Sequence, residues 1–342
     1  MADLDSILGG AVTPGALGES SLVSTIDSYV RYYASGSSHT ARAKRLDLDH
    51  FVSFLQKHRS VSKAQKLKVK DWDFSSVQRF VDDCLGKGES PATVARRLAT
   101  IKHMGRTLAE KVAGFINPGR EVKAPKINPP KPKALTAREI KKIQARAKER
   151  ADSKQSFIRF RNQVIFNFLI DTGLRADEVR LLRFSQLDDK LEWIKNVRTK
   201  GRRYRNVYIT SAIRPELEAY VKVREEELRK FYSKLTKSEN KSLPLFISTY
   251  DAVPGEPDSF LMGAKTLWRA VRELSAETKL HPHLLRHSYA LDLLNESNDI
   301  RLVSQALGHS DVRITMRYTQ RVDDEIAGAL ERSRRKRKDA SN

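Results

Sequence analysis

A single cysteine, Cys84, stands in 342 residues, which excludes an intramolecular disulfide and any cysteine-based zinc module. No apolar run reaches transmembrane length and no signal peptide opens the chain, so the sequence reads as a cytoplasmic protein with no membrane partner. A Walker-type glycine loop, a carboxylate cluster and internal repeats are also missing. Acidic residues run short: 64 Lys and Arg face 42 Asp and Glu, a formal net charge of +22. An excess of that size points to a polyanion partner, because each neutralised phosphate releases a condensed counterion. The plainer alternatives are a basic surface kept for solubility, or ribosome association. With 39% hydrophobic and 31% charged residues, the chain has the material for two globular domains.

The organisation follows from composition shifts. Residues 1–20 are acidic and glycine-rich and read as a flexible leader; residues 21–118 read as an all-α domain. Its stripes are Leu22, Ile26, Tyr29, Val30 and Tyr33; then Leu48, Phe51, Val52 and Leu55; then Val77, Phe80, Val81, Cys84 and Leu85. A fourth helix opens with Ser90 as N-cap and Pro91 in its first turn, and carries Val94, Leu98, Ile101 and Leu108 on one face. Arg96, Arg97 and Lys102 are assigned to its other face as candidate DNA contacts. Residues 119–134 form a basic, proline-rich linker. Thr136 and Glu139 make a capping box that starts a second, α+β domain over residues 135–331, and residues 332–342 are a basic tail containing Arg334 to Lys338. Within that domain, a helix with Ile158, Ile165 and Leu169 on its stripe ends at Gly173. Leu191 to Ile209 alternate as a hairpin around Lys200 and Gly201, and Leu243 to Ser248 read as a further short strand.

Three segments of the second domain carry chemistry. In DTGLRADEVRLL, Gly173 can end a helix in a left-handed conformation, and Glu178 follows Arg175 by three, so the carboxylate can hold the guanidinium on one helical face. A guanidinium so held suits a phosphate. In HPHLLRHSYALDLL, His283 and Arg286 are three apart on a helix. His283 and His287 are four apart, as in zinc helices, but no Glu follows the first His to act as base and the neighbouring Arg repels a cation. His287 is assigned to packing or capping. In LVSQALGHSDVRITMRYTQ, His309 and Tyr318 are nine apart, on opposite faces of a continuous helix; Gly308 breaks it, and Ser310 or Asp311 can cap a new start.

Taken together, Arg175, His283, Arg286, His309 and Tyr318 resemble the signature of the tyrosine site-specific recombinases, the Cre, Xer and phage-integrase family, in the family's order and over residues 20 to 330. The resemblance implies a mainly α fold with a small antiparallel sheet: an N-terminal SAM-like core-binding domain and a C-terminal catalytic domain around duplex DNA. It implies Tyr318 as nucleophile and His283 as the group handling its proton. Arg175, Arg286 and His309 are then donors to the non-bridging oxygens, and Lys200 is the general acid on the hairpin. A phenol with a free pKa of about 10 needs such a base and a positive field. Arginine is a poor proton donor, so Lys200, with Lys195 as its rival, is assigned the acid role rather than Arg202 or Arg203, which are candidate DNA contacts. No cofactor and no metal are implied, since a phosphotyrosine keeps the bond energy of the cut strand. A homotetramer on paired inverted half-sites is implied, with the stripe of Val322, Ile326 and Leu330 docking into a neighbouring protomer or covering its own core. So is a nucleoid-associated protein of prokaryotic, viral or mobile-element origin, serving integration, excision or resolution. Three rivals remain: relaxation of DNA in the manner of a type IB topoisomerase, DNA binding without catalysis, and a metal-dependent nuclease.

Overall fold

Local capping and helical periodicity build most of the chain. The computed structural model describes residues 13–33, 38–127, 134–153, 156–199, 203–309, 311–312 and 315–316. It divides the chain into two units, Met1–Pro129 and Pro130–Asn342.

The regular elements of the first unit's described residues are helices: α1 (Pro14–Glu19), α2 (Leu22–Ser28) running into a π turn at Tyr29–Tyr33, α3 (Ser38–His58), α4 (Phe74–Gly86) and α5 (Pro91–Lys111). Short 3₁₀ turns at Ala64–Lys66 and Val69–Asp71 join α3 to α4. Asp73 caps α4 by accepting from the Ser76 amide at 2.7 Å, and Ser90 caps α5 by accepting from the Thr93 amide at 3.2 Å. Leu48, Phe51, Val77, Phe80, Cys84, Val94, Leu98 and Ile101 close into one core, with Cys84 among them.

Two ends of this unit depart from the sequence reading. Residues 13–20, expected to be flexible, are folded. Thr13 accepts from the Ala16 amide at 3.3 Å, Leu17 is completely buried, and Glu19 pairs with Lys68 and Lys70. At the other end, residues expected in the linker still belong to the core. Val122 is 1% exposed, and Gly119 lies so close to Lys102 that a Cβ there would stand 3.3 Å from its stem.

The second unit contains α6 (Ala137–Asp152), α7 (Phe157–Thr172), α8 (Ala176–Leu181), the strands β1 (Trp193–Arg198) and β2 (Tyr204–Tyr208), α9 (Arg214–Leu228), α10 (Lys237–Ser242), α11 (Ala264–Arg272), α12 (Pro282–Ser297) and α13 (Ile300–Leu307). The capping box forms: the Thr136 amide donates to Glu139 at 2.8 Å and the Glu139 amide to Thr136 at 3.2 Å. α7 buries Ile165 and Leu169 as expected, but Ile158 is exposed, while Phe157 and Phe160 of the same turn pack against the core. β1 and β2 pair antiparallel, with Ile194, Val197 and Val207 inward and Trp193, Tyr204 and Tyr208 outward. A bulge between Ile194 and Val197 places Asn196 at a φ of 55°. Leu243 to Ser248 do not form a strand. Pro244 and Ile247 make isolated bridges, and the segment is fixed instead by buried guanidiniums: Arg224 donates to the Pro244 carbonyl at 2.9 and 3.0 Å and Arg161 to that of Ile247 at 2.7 Å. The fold is thus mainly helical with one two-stranded antiparallel sheet among the described residues, and no described helix is long and apolar enough to cross a membrane. Val322, Ile326, Leu330 and the basic tail lie outside the described residues.

Candidate active site

The site forms where two left-handed helix ends meet the β1–β2 hairpin. α7 ends at Gly173 with φ 60°, and a Cβ at that position would stand 2.2 Å from the Tyr289 ring. The left-handed turn and the ring both demand glycine. α13 ends likewise at Gly308, φ 63°. Arg286 of α12, 4% exposed, reaches both ends. Its Nη1 donates to the Gly173 carbonyl at 2.6 Å and its Nη2 to the Leu307 carbonyl at 2.6 Å. The carbonyls at the ends of two helices are thus met by one cation, which complements their partial negative charge. Arg286 Nη2 also lies 3.2 Å from His309 Nε2, and His309 Nδ1 lies 2.8 Å from the Thr315 hydroxyl. With Nε2 accepting from the guanidinium, the ring proton sits on Nδ1 and donates to Thr315.

Arg175 is not on a helical face with Glu178, as its spacing suggested, but is the N-cap of α8. Its amide donates to Glu178 Oε2 at 2.8 Å and its Nη1 to Oε1 at 2.8 Å. The same carboxylate receives a second, two-pronged guanidinium from Arg205 of β2, Nη1 to Oε1 at 3.0 Å and Nη2 to Oε2 at 2.9 Å. Arg286 Nη1 lies 3.8 Å away. Burial pushes the Glu178 carboxyl up, but the Arg205 fork, with the Arg175 amide and guanidinium, outweighs it and holds the group below the ordinary carboxylate value. The Glu178 side chain is 6% exposed and that of Arg175 28%, so the carboxylate is the hidden strut and the Arg175 fork is partly open to solvent. Arg205 was not among the candidates. The signal was available: on β2 it alternates with exposed Tyr204 and Asn206 and shares the inward face with Val207.

His283 is exposed in the first turn of α12, three residues before Arg286. The cap of that helix is not His287 but His281, whose Nδ1 accepts from the Leu284 amide at 3.1 Å. Lys200, Arg202 and Tyr318 lie outside the described residues. Their neighbours are described: the Thr199 amide donates to the Arg203 carbonyl at 2.7 Å and closes the neck of the hairpin, and Arg203 itself is exposed. A cleft of about 600 Å³ opens between this neck and α13, with Thr199, Arg203, Arg205, Gly308 and His309 among its lining. Lys195 is exposed on β1. Among the described residues no three His, Cys, Asp or Glu side chains are grouped as a metal site requires.

Of the candidates in the first unit, Arg97 is misassigned. It is 8% exposed and its Nη1 donates to Glu89 at 2.6 Å and to Cys84 Sγ at 3.5 Å. Position 97 falls on the buried face with Val94, Leu98 and Ile101, and the charge is neutralised inside by Glu89. Arg96 pairs with the buried Asp47 while half of its side chain stays exposed. Lys102 donates to the Arg120 carbonyl at 3.3 Å.

Comparison with known proteins adds three findings. The model of the phage integrase family matches residues 133–325, and that of the phage integrase N-terminal SAM-like domain matches residues 26–111. The chain is 30% identical over 291 residues to a tyrosine recombinase XerC of Thermodesulfovibrio yellowstonii, covering 85% of this chain and 88% of that protein. It is 29% identical over 315 residues to the XerC of Pseudomonas aeruginosa PAO1, covering 86% and 97%. Among solved structures it resembles in fold the XerH site-specific recombinase bound to a palindromic difH substrate, at 19% identity and a TM-score of 0.66 over 89% of this chain and 83% of that one. It also resembles a lambda integrase dimer bound to a COC′ core site, at 14% identity and a TM-score of 0.58 over 87% and 76%.

Proposed function

The chain belongs to the phage integrase family, and from that membership we propose that it is a site-specific tyrosine recombinase that cuts and rejoins duplex DNA through a 3′-phosphotyrosine on Tyr318. Strands are exchanged in a homotetramer on paired inverted half-sites. The observation that carries this reading is the convergence of Arg175 and Arg286 on the buried Glu178, with His309 against Arg286.

The chemistry follows from that cluster. The Tyr318 oxygen attacks phosphorus, the bond from phosphorus to the 5′ oxygen breaks, and the phosphate stays on the 3′ end. His283 takes the phenolic proton and Lys200 gives a proton to the departing 5′ oxygen. Negative charge grows on the non-bridging oxygens; Arg175 and Arg286 meet it as fixed donors, and His309 adds a third once its Nε2 takes a proton and turns from Arg286 to the phosphate. The guanidiniums need no reorientation, because Glu178 and the two helix-end carbonyls already hold them. Resealing reverses each step with a 5′ hydroxyl from the partner duplex, so the bond energy is never lost to water.

The test starts from duplexes selected by band shift out of a random-sequence library. Nicks are placed at successive positions across a selected site, and each duplex is incubated with the protein in excess EDTA and run on a denaturing gel. A slow covalent band that Tyr318→Phe abolishes is the expected result. Retention of the duplex on a native gel without a covalent band at any nick position overturns the reading in favour of binding alone.

A further inference from the structure

Arg205 is the one guanidinium of this cluster with no place in the chemistry above, yet it is the most enclosed after Arg286, with its side chain 10% exposed. Burying such a group is costly unless it is fully paired. Its pairing is specific: both terminal nitrogens go to the two oxygens of Glu178, at 3.0 and 2.9 Å. Its Nε is buried with no hydrogen-bond partner among the described residues, so the Glu178 fork is its main compensation. The guanidinium also supports the turn that presents His309, since a Cβ on Gly308 would stand 2.8 Å from Arg205 Nη1 and 3.1 Å from its Cδ. One side chain from the hairpin therefore touches both the strut of Arg175 and the turn before His309.

We propose that Arg205 is a positioning residue for strand cleavage: through Glu178 and the Gly308 turn it fixes the spacing among Arg175, Arg286 and His309. The inference rests on the recombinase reading. It makes a prediction that a general stabilising role does not make. The groups facing Glu178 are Arg175 from the turn before α8, Arg205 from β2 and Arg286 from α12, the last bonded to His309. Tyr289 of α12, which burial pushes up, stays neutral through the neutral range. Without the Arg205 fork the upward push of burial acts on Glu178 against Arg175 and the more distant Arg286 alone. The carboxyl then protonates at higher pH and releases Arg175.

The experiment uses the full chain and the selected nicked duplex. The rate of covalent adduct formation is measured at saturating protein from pH 5 to 8, with DNA affinity and thermal unfolding recorded alongside. Arg205→Ala is expected to slow adduct formation about 100-fold, the scale of a misplacement of reacting groups by about 1 Å, with DNA affinity within about 2-fold of the parent, because Arg205 faces Glu178 rather than solvent. Its acid-side loss of rate begins at higher pH than in the parent. Glu178→Gln, which cannot titrate, shows no acid limb beyond the one that protonation of the base His283 gives parent and variants alike. Added guanidinium ion restores part of the Arg205→Ala rate in a saturable way, and Arg205→Lys recovers less than full rate because it supplies charge without the fork. Rates within 3-fold of the parent in a folded Arg205→Ala overturn the proposal. So does a parallel fall of rate, affinity and unfolding temperature in both variants without guanidinium rescue. Failure of the parent itself to form an adduct sinks the recombinase reading instead, and is read before any variant.

Discussion

Gly173 joins backbone geometry to the reactive cluster more directly than any other residue, and Gly173→Ala tests that link. The position has φ 60°, and the added methyl would stand 2.2, 2.6 and 2.8 Å from three atoms of the Tyr289 ring. The left-handed backbone costs an alanine roughly 1–2 kcal/mol. Forcing a methyl into a filled site adds about 1–3 kcal/mol. The second unit is therefore expected to lose about 2–5 kcal/mol. The chain has three tryptophans, Trp72 in the first unit and Trp193 and Trp268 in the second, so urea unfolding followed by fluorescence in a Trp72→Phe background reports the second unit. The two terms separate in a double-mutant cycle. In a Tyr289→Ala background the ring is gone and Gly173→Ala should cost only the backbone part, about 1–2 kcal/mol. Because the Gly173 carbonyl accepts from Arg286 at 2.6 Å, adduct formation should fall further than stability alone explains. A cost that is the same with and without Tyr289 refutes the steric argument, and a stable Gly173→Ala that cleaves at the parental rate refutes the link to Arg286.

Three other outcomes follow from the structure. Leu17→Ala should destabilise the first unit by about 2–4 kcal/mol, since Leu17 is fully buried; urea unfolding followed through Trp72 measures it, and no change would return residues 13–20 to a loose leader. Arg97→Ala should lower the stability of the same unit by about 1–3 kcal/mol, its partner Glu89 being 28% exposed, and leave the salt dependence of DNA binding unchanged, whereas Lys102→Ala should lower the salt slope by about 1. Glu178 is held below its ordinary carboxylate value, so its contribution is present above the unfolded value of 4.5 and is lost as pH falls through the folded one. Acid unfolding of the second unit should therefore be shallower below about pH 4.5 in Glu178→Gln than in the parent; identical slopes would show that the strut carries no linkage.

How much was readable depended on whether the evidence for a residue was local. Arg175, His283, Arg286 and His309 stand in short motifs, two of them beside helix-stopping glycines, and the structure brings Arg175 and Arg286 to one carboxylate, with His309 against Arg286, without any long-range pairing being known beforehand. Ser90 with Pro91 and Thr136 with Glu139 were legible for the same reason, a cap being a contact across three residues. For Arg205 the alternation of β2 gave the inward position but not the partner, because that lies in the meeting of a strand with a helix start 27 residues earlier. Leu243 to Ser248 looked like a strand because apolar residues in a row satisfy a strand's composition, but the Pro244 and Ile247 carbonyls accept from guanidiniums and the segment makes only isolated bridges.

The larger misreading concerns charge. Arg97, Arg161, Arg224 and Arg286 all occupy positions on the buried faces of their helices, and a hydropathy stripe passes over each of them because arginine counts as polar. Position decides burial, and the guanidinium then takes whatever acceptors the interior offers. For Arg161 and Arg224 these are backbone carbonyls of one extended segment, and burial lowers both pKa values, Arg224 to about 10. For Arg97 it is the carboxylate of Glu89. These three fasten the fold. Arg286 is built the same way, on two helix-end carbonyls, and differs only in where those carbonyls lie: one follows Gly173 and leads to Arg175, the other precedes Gly308 and leads to His309. A buried arginine becomes part of a reactive site when the backbone it fastens carries other donors to the same place. By that criterion the hairpin, fastened through Arg205 to Glu178, belongs to the site as much as the three motifs do.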